Sequence, residues 1–184
     1  MRALTCIIGL ASCTYEHPSP TGPCDALIES VDPGASAPHV PAGTEIEWSS
    51  NPPSSGAHFP EWAKWGGPYV DPVLPRGYWV HNLEHGGVAI LLKCQAPCTE
   101  LTQKVMALVE RLPNDSACSG SPVVRRLVIA RDPILPVDVQ VAAAAWGETY
   151  TARCFDEETL LGFVSSRFGK APEDTCAEGS VPRI

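Results

Sequence analysis

The apolar residues divide the chain in two. Beyond residue 86 they recur in compact blocks, and before it they are scattered among prolines and glycines. Val88-Ala89-Ile90-Leu91-Leu92 is an unbroken apolar run of strand length, the pattern of a strand covered on both faces. Leu101, Val105, Leu108, Val109 and Leu112 follow at helical spacing behind Thr99, which can cap a helix, and Pro113-Asn114-Asp115 ends it. Residues 123–130 read as a second strand, stopped by Asp132-Pro133. Residues 139–151 are mixed: the alanines suit a helix, whereas Trp146-Gly147-Glu148-Thr149-Tyr150-Thr151 suits a strand, which is preferred for the latter part. Asp156 caps a last helix, with Leu160, Leu161, Val164 and Phe168 inward and Gly169 as its stop.

The first half carries weaker signals. Residues 44–48 alternate like a strand after the turn-like Pro41-Ala42-Gly43. Pro52-Pro53 fixes a stiff loop that delivers His58. Trp62, Trp65, Tyr69, Tyr78 and Trp79 are expected as core beneath the loops. The order strand–helix–strand–strand–helix, with a right-handed crossover, makes residues 88–92 and 123–130 parallel, and the next strand returns antiparallel. The expected fold is α+β: a small mixed sheet with two helices on one face, and long Pro- and Gly-rich N-terminal loops carrying the histidines.

Composition adds a compartment. A net charge of −8 excludes the basic face a nucleic-acid binder needs. Eight cysteines exceed ordinary cytosolic usage and point to export. Residues 1–13 read as a short secretion signal, and Leu10-Ala11-Ser12-Cys13 matches a lipoprotein lipobox with Cys13 as the lipidated residue. The expected partner is a membrane, reached through the lipid anchor, with the protein facing the periplasm or cell exterior. Residues 14–38 read as a flexible tether, 39–176 as one globular domain and 177–184 as a tail. With Cys6 removed and Cys13 blocked, six cysteines remain. Cys94 and Cys98 share the exit of the first strand and should pair; their spacing has one residue more than a Cys-x-x-Cys redox motif, so a structural bridge is preferred. The single returning strand brings Cys154 to Cys118, leaving Cys24 for Cys176.

The chemistry concentrates at His81-Asn82-Leu83-Glu84-His85-Gly86-Gly87. Imidazole is the commonest protein ligand for transition metals, and a spacing of four puts His81 and His85 on one face of a helical turn. His58, His81 and His85 are expected to converge, with His39 or Glu84 completing the shell of a zinc or copper ion; no organic cofactor is indicated. Glu84 would act as ligand, general base or tautomer-fixing acceptor. Ser54 and Ser55 lie near His58, but no nucleophile elbow or acid partner accompanies them. Three functions stay open: a metal-binding protein, a metal-dependent hydrolase with Glu84 as base, and a structural or interaction module with an architectural histidine cluster.

His39-Val40, Pro52-Pro53-Ser54-Ser55-Gly56-Ala57-His58, Gly67-Pro68-Tyr69 and His81 through Val88 occur in a fixed order. That order resembles an uncharacterised bacterial family, domain of unknown function 3105. Ala144-Ala145-Trp146-Gly147 and the final helix around Phe163 are also similar to its C-terminal half. The resemblance implies export or membrane anchoring and a histidine signature proper to the family. It implies no established activity.

Overall fold

The computed structural model describes residues 18–34 and 36–181. Among them one mixed sheet contains β1 Leu27–Ser30, β2 Gly66–Tyr69, β3 Val88–Leu92, β4 Leu127–Arg131, β5 Val141–Ala145 and β6 Glu148–Ala152, in the spatial order β1-β6-β5-β3-β4-β2. The helices are α1 Arg76–Glu84, α2 Thr99–Arg111 and α3 Glu157–Ser165. The architecture is α+β, as the apolar pattern indicated.

β3 is central. It runs parallel to β4, with Ile90 opposite Ile129, and antiparallel to β5. Every β3 residue is buried because the strand is covered on both faces. Val88, Ile90 and Leu92 pack with Leu101, Val105 and Leu108 of α2 and Leu160 and Phe163 of α3. Ala89 and Leu91 pack on the other face with Trp79, Val80 and Leu83 of α1. Each large aliphatic side chain buried this way contributes about 1.5–3 kcal/mol. Two helices share a face as expected, and α1 adds a helix on the opposite one.

Several expectations are corrected. Residues 139–151 form two strands, because the β5 alanines occupy a central strand where small side chains let α1 and α3 approach from either face. The second strand begins at Leu127, since the preceding Arg126 turns its side chain inward to Asp115. Residues 44–48 keep their alternation, with Ile46 and Trp48 half-buried, but have no partner strand; the Trp48 indole donates to the Ala57 carbonyl at 3.0 Å instead. Thr99 opens α2, and the N-cap position is Cys98. Asp156 does cap α3, accepting from the Thr159 amide.

Two of the three expected disulfides are also corrected. Cys94–Cys98 forms, but the others are Cys24–Cys154 and Cys118–Cys176. The cause is strand parity: the extra strand in the β5–β6 hairpin reverses direction once more, so Cys154 leaves at the end of the sheet opposite Cys118. Within the segment read as a tether, β1 pairs with β6, and the Cys24 carbonyl accepts from the Arg153 amide at 2.9 Å. In a chain-entropy account the links across separations of 130 and 58 residues contribute about 5 and about 4 kcal/mol, and the four-residue link about 2 kcal/mol. Three disulfides belong to a domain matured in an oxidising, extracytoplasmic compartment. No helix among the described residues is long and apolar enough to cross a membrane. Cys13 and the rest of the lipobox lie outside the described residues.

The C-terminal segment is a strap rather than a tail. The Glu173 amide donates to the Glu84 carbonyl, Cys176 is bridged to Cys118, Ala177 accepts from the Trp65 indole, and Val181 bonds to Trp62 and Lys64.

Candidate metal centre

Two loop segments and one helix supply the site. His39 and His58 sit on adjacent extended stretches: the Val40 amide donates to the His58 carbonyl at 2.8 Å, and the His58 amide to the Pro38 carbonyl at 3.2 Å. His81 and Glu84 lie three residues apart on α1, a spacing that puts both on one face. The expectation that loops carry the whole cluster is corrected here, because α1 carries two of its members. Gly77 lets α1 press against Phe59; a Cβ there would stand 2.7 Å from the Phe59 ring. That approach brings the Phe59 carbonyl to the His81 ring.

The hydrogen bonds fix the tautomers. His58 Nδ1 donates to the Gly56 carbonyl at 2.8 Å, and His81 Nδ1 to the Phe59 carbonyl at 2.6 Å. A carbonyl only accepts, so Nδ1 carries the proton in each neutral ring and Nε2 is left as a lone-pair donor. Metal-binding histidines have this second contact as a rule. His58 Nε2 is fully buried with no hydrogen-bond partner, yet stands 3.0 Å from Glu84 Oε2. A lone pair facing a carboxylate oxygen is repulsive unless a proton is shared between them or a metal cation lies beside them.

The ligating atoms of His39, His58, His81 and Glu84 all lie within 4.8 Å of one another. Around a tetrahedral zinc ion, at bonds of about 2.0–2.2 Å, ligand atoms stand about 3.3–3.6 Å apart. The widest pair would therefore close by about 1.3 Å around the ion, a movement within reach of the exposed His39 side chain. His58, His81 and Glu84 are buried, whereas the His39 side chain is 51% exposed and forms the solvent edge. His39 Nε2 is 3.9 Å from Glu84 Oε2.

Electrostatics favour the neutral form of His81 and His85. Burial lowers the His81 pKa to about 3; the Phe59 carbonyl opposes this, while His58, His85 and His39 reinforce it. Burial also lowers His85 against the pull of Glu173, and it raises Glu84 against the pull of His58. A cation would relieve the buried carboxylate and use lone pairs that are already free.

His85 departs from expectation. It ends α1 as its C-cap, and its Nδ1 turns to Glu173 Oε2 at 3.1 Å, leaving it outside the converging set. Its ring lies 4.5 Å from the His81 centroid and 4.5 Å from Trp62, so it walls the site. Glu173, far along the chain on the strap, carries no sequence signal that would have placed it here. The Gly56 and Phe59 carbonyls were equally hidden, since a backbone acceptor has no residue signature. Ser54 and Ser55 are buried, and both nitrogens of His58 face elsewhere, so no serine–histidine pair forms.

A family model described as "Protein of unknown function (DUF3105)" matches residues 39–179. No curated protein and no solved structure matches the chain.

Proposed function

The chain belongs to the DUF3105 family, whose description carries no activity, and from the geometry of its own site we propose that it holds a zinc ion outside the cytoplasm. The carrying observation is the shared tautomer: His58 and His81 both bind a backbone carbonyl through Nδ1, leaving each Nε2 as a lone-pair donor in a group with the Glu84 carboxylate. His39 supplies the fourth donor from the solvent edge.

Ring placement favours zinc over Cu(II). The His39–His58, His39–His81 and His58–His81 centroid separations are 4.8, 4.8 and 4.6 Å. Three imidazoles around a tetrahedral ion stand about 5 Å apart in every pair, whereas a square plane sends one trans pair beyond about 6 Å. Binding is also favoured over hydrolysis, because Glu84 lies among the donors and is not free to activate a water as base. The lipobox at Cys13 extends the reading to a lipid-anchored protein that presents its site at a membrane surface.

Metal analysis of protein purified without a His-tag tests this. About one equivalent of zinc is expected, and Glu84→Gln and His58→Ala should each weaken uptake by at least about tenfold. At free zinc a hundredfold above the dissociation constant, the ion adds about 2.7 kcal/mol of stability. Protein that carries no transition metal, and takes none up on titration, would leave the cluster architectural.

A further inference from the structure

A second constellation stands at the opposite end of the central strand. The histidine segment precedes β3, whereas Cys94 follows it. Cys98 is the N-cap of α2, the helix that joins parallel β3 to β4. The Cys94–Cys98 bridge therefore lies at the strand-to-helix junction of a βαβ unit, the position of a Cys-x-x-Cys exchange pair, with three residues rather than two between its cysteines. The two cysteines differ in access: Cys94 is half-exposed and Cys98 is 7% exposed.

Both line an open pocket of about 430 Å³, together with Pro97, Gln140, Cys154 and Phe155. That volume suits the residues flanking a cysteine of an incoming chain. The bridge ties β3 only to the start of α2, to which the chain already joins it across four residues. It constrains the fold least of the three, so stability explains its presence least. Cys98 also holds a left-handed backbone, with φ at 59°, a conformation unusual outside glycine.

We infer that Cys94–Cys98 is a thiol–disulfide exchange site whose substrate is a dithiol in a protein or peptide. A substrate thiolate attacks Sγ of Cys94, the more accessible sulfur. The Cys94–Cys98 bond breaks and its electron pair leaves on Cys98 Sγ, where the N-terminus of α2 favours a thiolate. The substrate's second thiolate then attacks its own sulfur in the mixed disulfide and releases Cys94. The substrate loses two electrons and two protons and becomes a disulfide; the Cys94–Cys98 pair gains two electrons and is protonated from solvent. A low-molecular-weight disulfide, such as oxidised glutathione, restores the bridge by the reverse exchange.

The test uses the full chain. Graded glutathione buffers, alkylation and peptide mapping should show Cys94–Cys98 opening at a reducing ratio at least about tenfold milder than either other bridge. The wild-type protein should oxidise one equivalent of a reduced synthetic peptide carrying two cysteines, at least about tenfold faster than the same concentration of oxidised glutathione. Given a single-cysteine peptide activated as its mixed disulfide with thionitrobenzoate, Cys98→Ser should remain joined to it through Cys94, whereas the reduced wild type should release it through Cys98. Three outcomes would overturn the inference: Cys24–Cys154, which shares the pocket, opening first; all three bridges opening together; or peptide oxidation no faster than with oxidised glutathione.

Discussion

Replacing His81 with glutamine should flatten the acid side of the stability profile. The neutral amide removes the titrating ring while keeping a polar group near the Phe59 carbonyl. His81 is held neutral with a pKa of about 3, against an ordinary 6.5. Between those values the unfolded chain binds a proton that the folded chain refuses. The His81 contribution is therefore complete above pH 6.5 and is lost as pH falls toward 3. From about pH 7 to about pH 4, at about 1.36 kcal/mol per pH unit below the ordinary value, the ceiling is about 3 kcal/mol. Water reaching the pocket past His39 reduces this, and about 2 kcal/mol is the expected loss. Glu84, raised by burial, has the opposite sign: its contribution is present at low pH and is lost as pH rises through its folded value. It is retained in both proteins and largely cancels between them. Urea unfolding of metal-free, disulfide-intact protein at the two pH values measures the difference. If His81→Gln lost as much stability on acidification as the wild type, burial of a neutral His81 could not be the cause.

Two substitutions probe how the site is held. Asn82→Ala removes both side-chain bonds to Ala63, at 2.9 and 2.8 Å, and leaves a buried amide and carbonyl unpaired. It should cost about 2–5 kcal/mol by urea unfolding, and a loss below about 0.5 kcal/mol would contradict this pairing. Gly77→Ala places a methyl 2.7 Å from the Phe59 ring. It should cost about 1–3 kcal/mol and also weaken zinc uptake, read by calorimetric titration, because the Phe59 carbonyl can no longer meet His81 squarely.

The parts of the fold legible in sequence are those whose burial is one-sided or complete. β3 announces itself as an apolar run, and α2 shows one apolar stripe because only one of its faces is covered. α1 was hidden for the opposite reason. Trp79, Val80, His81, Asn82, Leu83 and Glu84 are all buried, so polar and apolar residues share the interior and no stripe survives. β1 escaped because it is a four-residue edge strand with three exposed residues, recruited by pairing and by Cys24–Cys154 rather than by its own burial. The disulfide partners followed from strand count, and one unseen strand was enough to exchange two of them. At the candidate site the residue types were readable from the motif. Which nitrogen faces inward was not, because that depends on the Gly56 and Phe59 carbonyls.

The strap has a consequence for the order in which the molecule is made. His39 and His58 emerge from the ribosome long before Glu173, Cys176 and Val181. The wall behind Glu84 and His85 is completed only when those last residues dock and Cys176 meets Cys118. Closure of the pocket thus waits on synthesis of the whole chain and on arrival where thiols oxidise. A fragment ending near residue 170 would retain all four candidate ligand side chains, yet leave the Trp65 indole and Cys118 without their partners.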